Sequence, residues 1–276
     1  MKVKLVEAAD GEQSDYESDY EDMSSLEDPM APSRQEVKLE MGQRRIFKYL
    51  TVLDKMVKLP DQSQAQKDAN AITLFLELDD VFLHTFLVDE NFGHMAKPQE
   101  KDPEHEFLIE EGLQPVLVYE RDYMTDFLQY LKKSKPAVET IVYTTAERVY
   151  TEKLLKLIDP DRDIFDHVLC QNACYSFIKE DEDIHFYVKD ISRFKNRNIQ
   201  RALLADPRPL NFLMTPENGL PVLPYEARGV YENAEKDQYL LSLIEELEEI
   251  RKHDDVRQYL GKNYKVRQNL KSSKLI

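Results

Sequence analysis

Basic residues are scarce, cysteine is nearly absent and long apolar runs are missing, and each shortage removes a class of function. Only 37 Lys and Arg stand against 53 Asp and Glu in 276 residues, for a net charge of −16 and a pI of about 4.9. Nucleic-acid binding needs clustered Lys and Arg, so it is not expected; protein partners with basic surfaces are. No apolar stretch reaches the ~18–20 residues of a membrane span, so any membrane association is expected to run through partners. The two cysteines, Cys170 and Cys174, lie within five residues of each other, and the six histidines show no paired ligand spacing. A zinc site is therefore not expected, and two thiols in so Cys-poor a chain suit buried structural roles in a reducing compartment.

A hydrophobic content of 42% is enough for a real core, and the length suits one domain of roughly 150–200 residues plus extensions. Residues 1–33 read as an acidic arm. Positions 7–28 hold ten acidic residues and no basic one, the opposite of an Arg-rich transit peptide. Within the arm Ser-Asp-Tyr-Glu occurs twice in tandem, at 14–17 and 18–21. Such low-complexity sequence buries no core, and Ser14 and Ser18 offer positions where phosphorylation would deepen the charge. Ile46, Leu50, Leu53 and Val57 recur at helical spacing, predicting an amphipathic helix over 34–60, followed by a polar linker over 61–70.

From residue 71 short apolar strands alternate with helices. Strands are expected at Ile72–Leu78, Thr140–Thr144 and Ala202–Ala205, and helices at Asp122–Lys133, Ala146–Ile158 and Ser192–Gln200. Strands apolar on both faces and separated by helices predict an α/β domain with a parallel sheet covered on both sides. Ligands bind such sheets beyond the carboxyl ends of the strands, where Glu77, Thr144 and Asp206 all fall.

The segment Glu77-Leu78-Asp79-Asp80-Val81 resembles the nucleophile loop of haloacid-dehalogenase-type phosphatases, Asp-x-Asp-x-Thr/Val. Val142-Tyr143-Thr144-Thr145-Ala146, with Tyr150 beyond, is similar to the family's second motif, whose Thr binds a phosphoryl oxygen. Tyr187-Val188-Lys189-Asp190 resembles the third, which carries a Lys that screens phosphate and aspartate, and Asp206-Pro207-Arg208-Pro209 the fourth, normally Asp-Asn-x-Pro. Pro216–Val222 and Asp254–Leu260 are similar to the close of that domain, so the likeness spans about residues 71–262. It points to the branch of RNA polymerase II C-terminal-domain small phosphatases (NLI-interacting-factor-like domains) and of the presequence receptor of the mitochondrial inner-membrane translocase. The resemblance implies a Rossmann-like haloacid-dehalogenase fold and a Mg²⁺-dependent aspartyl phosphatase, with Asp79 as general acid and base.

Two departures weigh against that chemistry. Glu77 stands where the resemblance wants the attacking Asp, and one added C–C bond shifts a carboxylate by ~1.5 Å. A misplacement of about 1 Å can cost on the order of a hundredfold in rate. Pro207 stands where an Asn would offer Mg²⁺ a side-chain oxygen, and proline offers none on its side chain. The family's Lys-Arg-Pro-Gly becomes Glu120-Arg121-Asp122-Tyr123, and the stretch 86–117 is acid-rich (Glu100, Asp102, Glu104, Glu106, Glu110, Glu111), which repels a phosphopeptide and attracts a basic one.

Tyr239, Leu240, Leu243, Ile244, Leu247 and Ile250 form a helical stripe expected to pack on the core, and 263–276 reads as a basic tail. The expectation is a catalytically inactive, phosphatase-like protein-binding module, an accessory subunit of a multi-subunit assembly, mitochondrial on the branch resemblance, with no cofactor. Competent catalytic residues are not expected; Asp79 and Asp206 remain as metal candidates, Thr144 and Lys189 as phosphate candidates. The alternative is a Mg²⁺-dependent serine/threonine phosphatase of the C-terminal-domain type, nuclear or cytosolic.

Overall fold

Ile72, Leu74 and Leu76 side with one hydrophobic core and Phe75, between them, with another. This period-two split is what a strand does when both faces of its sheet are covered. Leu203 and Ala205 join the first core while Ala202 and Leu204 join the second; Val142 and Ile141 divide in the same way.

The computed structural model describes residues 51–53, 57–87, 102–109, 115–179, 184–227 and 236–273. In chain order they form β1 (Thr51–Leu53), α1 (Gln64–Asp68), β2 (Ile72–Leu76), β3 (Leu83–Leu87), β4 (His105–Leu108), β5 (Pro115–Glu120) and α2 (Met124–Lys133). Next come β6 (Val138–Tyr143), α3 (Arg148–Ile158), β7 (His167–Leu169), β8 (Tyr175–Lys179), β9 (Ile184–Val188), β10 (Ala202–Asp206) and β11 (Gly219–Pro221). Helices α4 (Tyr239–Arg251), α5 (Val256–Asn263) and α6 (Val266–Ser272) close the described chain.

The central sheet is parallel, in the order β11-β10-β2-β6-β7. Helices α2, α3, α4 and α5 cover its first face, with the predicted stripe delivering Leu240, Leu243, Leu247 and Ile250 to the core. On the second face lie Phe177 of β8, Val188 of β9, and Val266 and Leu270 of α6. The architecture is thus the expected α/β one, a parallel sheet flanked on both sides. Cys170 and Cys174 are free thiols and both are buried, as expected. No helix among the described residues is long and apolar enough to cross a membrane.

Several expectations are corrected. Residues 51–53, placed by helical spacing in a helix, form a strand, with Thr51 opposite Ile178 and Leu53 opposite Ser176. The edge of β8 needs a partner, and β-branched Thr51 and Val52 suit the ladder better than a helix. Ile46 and Leu50, with the arm 1–33, lie outside the described residues. The supposed linker 61–70 contains α1, whose Ser63 and Gln66 form a reciprocal capping box, and Gln66 reaches Asp166 at 3.4 Å. No α-helix spans Ser192–Gln200; two 3₁₀ turns, Ile191–Arg193 and Ile199–Arg201, stand there. Asp190 and Asn198 each accept a backbone N–H two residues on, the local bonding that competes with a helix. Half of the basic tail, Val266–Ser272, is α6, because Val266 and Leu270, one turn apart, are both buried.

The described residues of the long connection between 83 and 120 form a small antiparallel sheet, β3-β5-β4, beside the carboxyl end of β2. Glu100, Glu110 and Glu111 of the acid-rich stretch lie outside the described residues.

Candidate functional site

Register brings the candidate residues together. Leu76 lies opposite both Ala205 and Val142, so the carboxyl ends of β2, β10 and β6 fall within about one residue of each other and bring Glu77, Asp206 and Thr144 to one edge. Glu77 N–H donates to the Ala205 carbonyl at 3.1 Å, which ties the first loop residue to the sheet. Asp80 then turns the chain with φ of +62°, a left-handed conformation that Asp tolerates better than most residues. Its N–H donates to the Leu83 carbonyl at 2.8 Å, and its carboxylate meets His84 Nδ1 at 2.6 Å.

Arg121, the survivor of the family's Lys-Arg-Pro-Gly, holds this loop from beneath. Buried, it donates to the Val81 and Leu223 carbonyls at 2.9 and 2.8 Å and to Asp237 at 2.7 Å. Its guanidinium also lies over Tyr239, 4.4 Å from the ring centroid. It pins the fold and offers nothing to an incoming ligand.

At the centre Lys189 Nζ donates to Glu77 Oε2 at 2.7 Å and to Asp206 Oδ2 at 2.5 Å, and all three side chains are 0% exposed. Glu77 Oε1 accepts the Leu78 N–H at 2.9 Å. Asp206 accepts Asn211 Nδ2 at 2.8 Å and the Arg208 N–H at 2.7 Å. Burial alone would push Glu77 upward, but Lys189, Arg208 and a hydrogen bond from Thr144 outweigh it and hold the carboxyl below its ordinary value. Asp206 goes the other way, raised by burial and by the like charge of Glu77 against the pull of Lys189. Lys189 resists desolvation because two carboxylates face it, and its pKa is raised. Thr144 Oγ1 accepts the Ala146 N–H at 3.0 Å. The two phosphate candidates, Thr144 and Lys189, are therefore both engaged within the protein.

Asp79 sits apart from this triad and is half-buried. Tyr150 Oη donates to its Oδ1 at 2.5 Å and lies 3.0 Å from the Thr85 hydroxyl, which can donate back to it. Desolvation first, and then repulsion from Glu77, raise Asp79 to about 7 despite the Tyr150 hydrogen bond. The folded protein thus keeps a proton that the unfolded chain releases near the ordinary value of 3.8, so stability falls as pH rises from about 4 to 7. Asp79→Asn, which keeps an acceptor for Tyr150, should stabilise the protein above pH 7 by a few kcal/mol at most, and not at all below pH ~4. Urea midpoints of both proteins across pH 4–8 check this; parallel curves would show that Asp79 titrates normally.

Arg208 is the residue that sequence reasoning passed over. Its side chain is 48% exposed at the mouth of the site, where it donates to Thr145 Oγ1 at 3.1 Å and Asp80 Oδ2 at 3.4 Å. The signal was its setting, Pro207-Arg208-Pro209, since the residue before a proline is driven to extended backbone.

The resemblance implies Mg²⁺, and the donors present do not suit one. Pro207 has no side-chain oxygen to give, while the oxygens of Glu77 and Asp206 accept from Lys189, Asn211 and two backbone N–H groups. The metal candidates Asp79 and Asp206 bond to different partners, and among the described residues no group of three or more His, Cys, Asp or Glu is placed to hold a metal ion.

The family model for NLI interacting factor-like phosphatases matches residues 72–257. The chain belongs to that family. Curated relatives of this NLI interacting factor-like domain include a probable C-terminal domain small phosphatase of Dictyostelium discoideum, 26% identical over 191 residues, 69% of this chain and 54% of that protein. CTD small phosphatase-like protein 3 of Caenorhabditis elegans is 26% identical over 257 residues, 92% of this chain and 80% of that one. The mitochondrial import inner membrane translocase subunit TIM50 of Candida albicans is 27% identical over 201 residues, 72% of this chain and 34% of its own. The chain thus spans about half the length of the first of these relatives.

Proposed function

We propose that this NLI interacting factor-like domain is a protein-binding module without phosphatase turnover, an accessory subunit of a larger assembly. The observation that carries the reading is the state of Glu77. A carboxylate that attacks phosphorus must present a free oxygen to it, and Glu77 is 0% exposed with one oxygen on Lys189 and the other on the Leu78 amide. Its extra methylene, the missing side-chain oxygen at Pro207 and the Arg208 guanidinium all push the same way. No Mg²⁺ requirement is expected. A mitochondrial setting draws support from the relative named as an inner-membrane translocase subunit, and a basic partner from the net charge of −16.

A working phosphatase of the C-terminal-domain type is the competing reading, and Asp79 favours it: a half-buried carboxyl raised to about 7 is poised for general acid and base work at neutral pH. The triple variant Glu77→Asp/Pro207→Asn/Arg208→Ala separates the two. Expected is Mg²⁺-dependent hydrolysis of an aryl phosphate by the triple variant at least about a hundredfold above the unmodified chain. Equal or greater turnover by the unmodified chain would favour the phosphatase.

A further inference from the structure

Four carboxylates, Glu77, Asp79, Asp80 and Asp206, gather around the ends of β2 and β10, and buried carboxylates require nearby positive charge. Lys189 answers two of them directly. We propose that Arg208 is the second resident cation of this site, a guanidinium built into the chain that supplies the charge a divalent cation would otherwise bring, and so keeps divalent cations out. The inference rests on the reading above and deepens it.

The backbone sets this arrangement up. Pro207 follows Asp206 directly, and the Arg208 N–H turns back to Asp206 Oδ1 at 2.7 Å. Arg208 itself is extended, with φ of −100° and ψ of 116°, and Pro209 opens a 3₁₀ turn behind it. Held between two prolines, the side chain bridges Thr145 on the β6 side and Asp80 on the β2 side at 3.1 and 3.4 Å. All four carboxylates act on its charge from this position, and burial of the guanidinium is outweighed by their attraction. A planar, permanently charged fork suits such bridging better than an ammonium. Two adjacent residues therefore do one job: the proline offers a metal no side-chain oxygen, and the arginine supplies positive charge in the metal's place.

Mn²⁺ serves as the probe, followed by its paramagnetic signal and by thermal shift, with four proteins compared: the unmodified chain, Pro207→Asn, Arg208→Ala and Pro207→Asn/Arg208→Ala. Pro207→Asn restores the oxygen and leaves the guanidinium, so it should take up Mn²⁺ no better than the unmodified chain. The double variant should bind saturably, at least roughly tenfold tighter than either, with a rise in melting temperature of about 3 °C at tenfold excess over its dissociation constant. Arg208 is half exposed, so its loss should leave the protein folded. Tight Mn²⁺ binding by Pro207→Asn alone, or none by the double variant, would overturn the role of Arg208 while leaving the silent-phosphatase reading intact. Saturable Mn²⁺ binding by the unmodified chain would overturn it as well, and phosphatase turnover accompanying that binding would remove the functional reading too.

Discussion

Lys189→Met should destabilise the protein by about 3–5 kcal/mol, because it leaves two fully buried carboxylates facing each other without the ammonium between them. At roughly 2–4 °C per kcal/mol for a domain of this size, the melting temperature should fall by about 6–20 °C. In the variant Glu77 and Asp206 lose Lys189, which lies 2.7 and 2.5 Å away, so the pKa of Glu77 rises above its unfolded value and that of Asp206, already raised, rises further. Carboxyls raised in this way hold protons that the unfolded chain releases, and the variant's stability falls as pH rises. The deficit should therefore be smallest near pH 4 and full by pH 8. Adding Glu77→Gln and Asp206→Asn removes both orphaned charges and should recover most of the loss. Urea midpoints at the two pH values test this; a Lys189→Met protein as stable as the parent at pH 8 would contradict the buried triad.

A comparable loss, again about 3–5 kcal/mol, is expected for Arg197→Met at the opposite end of the sheet. Arg197 forks onto Glu139, Nε to Oε2 at 2.7 Å and a terminal nitrogen to Oε1 at 2.5 Å, with both side chains essentially inaccessible. Bidentate geometry of this kind makes the strongest ion pairs. Glu139 also accepts Gln62 and Thr73 at 2.8 Å each, so the same carboxylate ties the segment before α1 to β2 and β6. Faster amide exchange in α1 should accompany the lower stability. His167 lies 3.7 Å from Glu139, and its pKa is lowered, first by burial and then also by Arg197 against the pull of Glu139. Without Arg197 the unpaired Glu139 should raise His167, so protonation at pH 5 offsets part of the loss that is complete at pH 8. A His167 titration unmoved by the substitution would show that the two groups do not share the carboxylate.

The parallel sheet was legible because β2, β6 and β10 are short apolar runs between helical patterns, and nothing local competes with that reading. Glu77, Thr144 and Asp206 could be placed together for the same reason: strand ends in such a sheet share one edge. What misled lies where tertiary partners override local pattern. Leu53 fits a helical stripe, yet β8 recruits residues 51–53 as a strand. The run beyond Lys262 reads as a solvated tail by charge, yet two residues, Val266 and Leu270, fold it onto the second core. In the site, the pattern showed which groups were changed but not how they compensate. That Lys189 would serve both Glu77 and Asp206 follows from three strands ending at one edge, and the reach of Arg208 to Thr145 and Asp80 depends on the Pro-Arg-Pro turn.

The central claim is that this member of a phosphatase family does not turn over phosphate esters. It is tested most directly by assaying the folded, unmodified chain with Mg²⁺ on an aryl phosphate, beside its Asp79→Asn variant. No hydrolysis above that of the variant is expected. Mg²⁺-dependent turnover by the unmodified chain that disappears with Asp79→Asn would contradict it and make the protein an enzyme.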